Sequence, residues 1–108
     1  MVAKKPAPRL THQGLLVLRV MAKLRDAELC GADLMKVTGF SSGTLYPILF
    51  RFERAGLLDS RWEEERPRDL KRPRKRLYSI TAAGRAFAQD AFEQLSLRKL
   101  KLAAALGG

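Results

Sequence analysis

Seven cations stand within the eleven residues 66–76: Arg66, Arg68, Lys71, Arg72, Arg74, Lys75 and Arg76, opposed only by Asp69. Side chains at that density repel one another unless an anion lies among them. The segment therefore suits a polyanion, several of whose phosphates it could neutralise at once. A second basic pair, Arg51 and Arg54, follows the small residues Ser41, Ser42, Gly43 and Thr44. Small side chains first and guanidinium groups later let a helix bring base edges and phosphates within reach together. The start of such a helix also carries unpaired N–H groups and a partial positive charge, favourable to a phosphate. Other chemistries lack their residues. His12 and Cys30 are the strong soft-metal ligand candidates, whereas a structural or sensing site needs roughly three or four ligands. The chain has no Cys-His or Ser-His-Asp signature, no phosphate-binding glycine loop and no evident carboxylate pair facing an apolar pocket. Neither a metal, a cofactor nor enzyme activity is expected.

The whole chain carries the same bias. Its 108 residues hold 21 Lys and Arg against 11 Asp and Glu, a formal charge of +10 and a pI near 10.5. That balance points to nucleic acid. An anionic membrane surface is the weaker reading, because the apolar stretches are short, amphipathic and needed for a core. With 46% hydrophobic residues the chain can fill one modest core. Nothing approaches the ~20 apolar residues of a membrane span, and Met1 to Arg9 has charges and prolines without an apolar export segment. A cytoplasmic location is expected, and the lone Cys30 rules out an intramolecular disulfide.

The elements that must position these cations can be read from periodicity. Residues 1–10 form a basic arm with no means of burial, and residues 11–80 form the binding domain. Leu15, Leu16, Leu18, Met21 and Leu24 place a largely apolar first helix after Thr11, and a second helix runs from about Glu28 to Val37 and stops at Gly39. The turn Gly39-Phe40-Ser41 leads into a third helix over 42–55, with Ser41 or Ser42 as its cap. Leu45, Ile48, Leu49 and Phe52 make its buried stripe. Residues 57–63 and 76–80 alternate as two strands of a hairpin, and the proline-rich basic loop between them, a wing over 64–76, projects into solvent as a disordered segment before binding. Thr81 caps a last helix over 81–106. It is too long for so small a domain to cover, which calls for a second subunit. The expected fold is mainly α with a small β-hairpin: a winged helix-turn-helix with a long C-terminal dimerisation helix.

The strings Gly43-Thr44-Leu45-Tyr46-Pro47-Ile48-Leu49, Arg51-Phe52-Glu53, Ala55-Gly56-Leu57-Leu58 and Arg76-Leu77-Tyr78-Ser79-Ile80-Thr81, followed by Gly84, resemble the PadR-like winged-helix transcriptional regulators. The first string is fairly specific and the similarity spans about residues 12 to 100. It implies a homodimeric repressor in a prokaryotic cytoplasm, associated with the nucleoid, with the third helix in the major groove and the wing on the flanking backbone. It also implies the short branch of the family, in which a single C-terminal helix makes the dimer, and a small-molecule inducer, often aromatic or phenolic, acting between the subunits. Two positions depart from the pattern: Cys30 stands where an aromatic is frequent, and Phe50 where a polar residue is usual.

The residues expected to meet DNA are Ser41, Ser42, Gly43, Thr44, Tyr46, Pro47, Arg51 and Arg54 of the helix, with Arg66, Arg68, Lys71, Arg72, Arg74, Lys75 and Arg76 of the wing. Those expected between subunits are Leu15, Leu18, Phe87, Ala88, Ala91, Phe92, Leu95 and Leu102. For Tyr46, packing and phosphate contact stay equally open. Trp62 and Tyr78 read as cross-strand packing partners, and the run Glu63-Glu64-Glu65 as an orienting counterweight to the wing. The leading function is sequence-specific binding of a pseudo-palindromic promoter duplex. A non-specific architectural protein and a winged-helix protein adaptor are the alternatives.

Overall fold

The computed structural model describes residues 10–64 and 67–107; the side chain of Pro67 is not among them. The order is α1 (His12–Lys23), β1 (Leu29–Cys30), α2 (Gly31–Thr38), α3 (Ser42–Arg54), β2 (Leu58–Trp62), α4 (Pro67–Leu70), β3 (Arg76–Ile80) and α5 (Ala82–Ala105). The core gathers one stripe from each helix. Val17, Leu18 and Met21 of α1, Leu34 of α2, and Leu45, Ile48, Leu49 and Phe52 of α3 meet Leu58, Tyr78 and Ile80 of the sheet and Ala88 of α5. Two helix starts are capped as their threonines suggest. Thr11 Oγ1 accepts from the Gly14 amide at 3.0 Å, and Thr81 Oγ1 accepts from the Gly84 amide at 2.9 Å.

The sheet differs from the expected hairpin. Three antiparallel strands lie in the order β1-β3-β2, with Leu29 opposite Tyr78 and Cys30 opposite Leu77. The second helix therefore begins at Gly31 rather than near Glu28. Leu29 and Cys30 are spent on the sheet, and Asp33 caps the turn by accepting from the Cys30 amide at 3.1 Å and the Cys30 thiol at 3.2 Å. Those two bonds hold the Asp33 carboxyl below its usual range. Gly39 ends α2 at φ 76°, a left-handed conformation that favours glycine, and the three-residue turn to α3 follows.

The start of α5 is pinned to the end of α3. Thr81 Oγ1 donates to the Gly56 carbonyl at 2.7 Å while its amide bonds the Leu57 carbonyl at 3.0 Å. Gly84 lies so close to the backbone leading into β2 that a Cβ there would stand 2.1 Å from the Leu57 oxygen. Beyond Phe92 every described residue of α5 is exposed, and the molecule extends 63 Å along its longest axis. Leu18 and Ala88, expected between subunits, are instead 0% and 1% exposed within the chain's own core. Helical periodicity marks an apolar stripe without telling which partner fills it. Leu15, Phe87, Ala91 and Phe92 are half-buried, and Leu95 and Leu102 are exposed.

Candidate nucleic-acid interface

α3 turns Leu45, Ile48, Leu49 and Phe52 inward, so at about 100° per residue the line opposite the core runs through Gly43, Pro47, Phe50 and Arg54. Ser41, Ser42, Gly43, Pro47, Arg51 and Arg54 are all exposed, and Thr44 is half-buried. Ser41 is the cap residue, but its side chain makes no capping bond. Its hydroxyl lies 3.3 Å from that of Thr44. Pro47, inside the helix, cannot donate to the Gly43 carbonyl. Tyr46 leaves the packing-or-contact question with a double answer. Its hydroxyl sits where a Cβ on Gly31 would be, 2.0 Å away, so the ring leans on α2, yet 43% of the residue stays exposed.

The wing is more ordered at its base than its composition suggests. α4 forms a single turn, Lys71 follows at φ 56°, and Glu63 gathers the returning strand. Arg72 donates from Nη1 to Glu63 Oε1 at 2.7 Å and from Nη2 to Oε2 at 3.1 Å, and the Lys75 amide donates to Oε1 at 2.7 Å. The Arg72 guanidinium, and then the Lys75 amide, bring the Glu63 carboxyl down to about 2. The orienting part expected of the acidic run thus falls to Glu63; Glu65 and Arg66 lie outside the described residues, as do residues 1–9 of the basic arm. Arg68, Lys71, Arg72, Arg74 and Lys75 are exposed.

Arg76, one of the wing residues expected to meet DNA, also braces the base of the hairpin. It is half-buried, its Nε donates to Ser60 Oγ at 3.0 Å, and its guanidinium stands 5.1 Å from the Trp62 ring centre. Glu53 of α3 completes the brace: it accepts from Ser60 Oγ and lies 3.7 Å from Arg76 Nη2. Trp62 is therefore opposite Arg76, and Tyr78 opposite Ser60, so the two aromatics are diagonal neighbours rather than a direct pair. Burial raises the Tyr78 hydroxyl above its usual value. Arg61 pairs in bidentate fashion with Glu28, at 2.6 and 2.7 Å. The sequence assigns no partner to Glu53, Ser60 or Glu28, since a polar residue shows its partner only when strand register is known.

Between α3 and the wing these pieces leave a groove of about 600 Å³. Its lining includes Tyr46 of α3, Gly31 and Ala32 of α2, Trp62 and Tyr78 of the sheet, and Arg74 and Lys75 of the wing. The helix flank and the basic loop thus open onto a common space. Among the described residues, no group of three or more His, Cys, Asp or Glu could hold a metal ion, and no helix is long and apolar enough to cross a membrane.

Three stacked helices, a three-stranded sheet with a basic loop and a long terminal helix define a winged helix-turn-helix protein. Residues 17–90 match the transcriptional regulator PadR-like family, and the chain belongs to that family. Among solved structures it is similar to a PadR-like transcription factor from Bacteroides fragilis, at 23% identity and a TM-score of 0.65 over 89% of this chain and 92% of that one. A PadR family regulator from Eggerthella lenta is 25% identical, with a TM-score of 0.70 over 87% and 83%. MepR, a regulator of the Staphylococcus aureus multidrug efflux pump MepA, shares the fold at 14% identity, with a TM-score of 0.71 over 89% of this chain and 65% of MepR. No curated protein matches the chain.

Proposed function

We propose that two copies of this chain pair through α5 and repress transcription by occupying a pseudo-palindromic operator, with α3 of each copy in the major groove and the wing along the flanking backbone or in the minor groove. The observation that carries this reading is the shared groove, lined both by Tyr46 of α3 and by Arg74 and Lys75 of the wing. Cations along the wing side of the groove suit the phosphate ridge of a duplex whose bases α3 would read. Pairing is supported by the far half of α5, where Leu95, Leu97, Leu100 and Leu102 are 40–68% exposed. Leu95 and Leu102 lie on one side of the helix and Leu97 and Leu100 on the other, and leucines left in water in such number support cover by a second subunit. Two recognition helices related by a two-fold axis would then fall about one turn of DNA apart. Footprinting on genomic fragments tests the reading. The expected result is a protected inverted repeat that survives excess random duplex. Equal affinity for every duplex would assign the chain to non-specific coating, and no duplex binding at all would move it to protein adaptor.

A further inference from the structure

The outer line of α3 is unusually poor in hydrogen-bonding side chains. Its members are Gly43, Pro47, Phe50 and Arg54, and α3 as a whole contains no Asn, Gln or Lys. The side-chain amides that pair with adenine are therefore missing from the helix proposed to read bases. In their place Phe50 stands 60% exposed near the middle of that line. The Arg54 guanidinium lies 5.7 Å from its ring centre, one turn further on, which restrains the ring against the helix. Around it the helix surface is low. A Cβ on Gly43 would have only the Ser41 hydroxyl within reach, at 4.0 Å, so no contact inside the protein requires glycine there. Phe50 is thus the projecting apolar group on a ridge that is otherwise flat until Arg54.

An apolar ring has one specific complement in a major groove, the C5-methyl group of thymine, the only hydrocarbon that the four bases present there. Resting on the DNA-binding reading above, we infer that Phe50 is a specificity-determining residue that packs on a thymine methyl in each half of the operator. Phe50 lies about 12 Å along α3 from its first residue, comparable to the width of the groove. The glycine and the short proline ring ahead of it let the helix backbone approach closely enough for the phenyl ring to reach base edges. Arg54 is the positioning residue, setting the angle of the ring.

The test uses the full chain and an operator obtained by selection from genomic fragments. Each thymine in turn is replaced by deoxyuridine, which lacks only the methyl group. For the wild type, one thymine per half-site is expected to matter, weakening binding about fourfold when its methyl is removed and about fifteenfold when both symmetric methyls are removed, as burial of one methyl each implies. Phe50→Ala is expected to weaken binding to the thymine operator and to bring the thymine-to-uracil ratio at that position to about one. Phe50→Leu should retain part of it. Because the side chain is exposed, both variants should fold with the wild-type far-UV spectrum and Tm. Wild-type binding that ignores every thymine methyl overturns the inference and leaves the DNA-binding reading standing. So does a Phe50→Ala protein with unchanged affinity and ratio, which would make the ring a protein contact. If the wild type selects no duplex over random sequence, the DNA-binding reading itself fails, and the inference with it.

Discussion

Replacing Gly84 by alanine should loosen the joint between the long helix and the rest of the molecule. The added Cβ would stand 2.1 Å from the Leu57 oxygen, 2.8 Å from Ile80 Cγ1 and 3.0 Å from the Leu57 carbonyl carbon. Two of those atoms are backbone, and the Leu57 oxygen already accepts from the Thr81 amide at 3.0 Å. It cannot swing aside as a side chain would, so the helix and the Leu57 backbone must separate by about 1 Å to restore ordinary contact. Overpacking of this kind costs about 1–3 kcal/mol and sometimes more. The change from glycine to alanine inside a helix returns about 1 kcal/mol. Because the obstructing atoms are rigid, the cost belongs at or above the top of its range, and a net loss of about 2 kcal/mol is expected. For a domain of this size that lowers Tm by about 10 °C, measured by circular dichroism at fixed protein concentration so that subunit association does not shift the midpoint. Gly43→Ala is the control: the same substitution in a helix, with open space around the new methyl. It should be neutral or slightly stabilising. A Gly84→Ala protein melting at or above the wild-type temperature would refute the close approach of α5 to the Leu57 backbone.

Exchanging Arg72, Arg74 and Lys75 for alanine should weaken binding to all DNA sequences alike and reduce the slope of log affinity against log salt by about 0.9 for each phosphate that the wing ceases to neutralise; an unchanged slope would show that the wing stays off the backbone. The Glu63 carboxyl is depressed from 4.5 to about 2, so its support of the wing is complete above pH 4.5 and is lost as pH falls through about 2. An NMR titration of that carboxyl with a midpoint at or above 4 would contradict the Arg72 clamp. Leu18→Ala should cost about 2–5 kcal/mol in a urea melt, as a cavity in the core demands. Leu95→Glu should leave the fold intact and shift the chain towards monomer in equilibrium sedimentation; a dimer unaffected by it would place the subunit contact elsewhere.

Most of the architecture could be read from repeating patterns. Leu45, Ile48, Leu49 and Phe52 outline α3 within a residue or so, and Thr11 and Thr81 announce the helices that they cap. Periodicity failed where the element was shorter than its own period. Leu29 and Cys30 form a strand of two residues, and nothing in two residues distinguishes a strand from the first turn of a helix. It was equally silent on which surface fills a stripe, which is why Leu18 and Ala88 looked like interface and proved to be core. For the candidate site the sequence located the cations but not their obligations. Arg72 and Arg76 read alike as basic residues of a wing, yet one is clamped by Glu63 and the other by Ser60 and Glu53. Only the pairing of Trp62 with Arg76 across the hairpin reveals that difference.

The central place of β3 limits how this molecule could respond to a signal. The strand that carries the wing is flanked on one edge by β1 and on the other by β2, and Glu53 fastens the hairpin to α3. The wing and α3 are therefore geared together, and tilting one without the other would tear a ladder on two sides. If two copies pair as proposed, an effector has little purchase on the shape of either half. What it could change is the stride of the pair, the distance and rotation between two rigid feet set at the ends of the paired α5 rods.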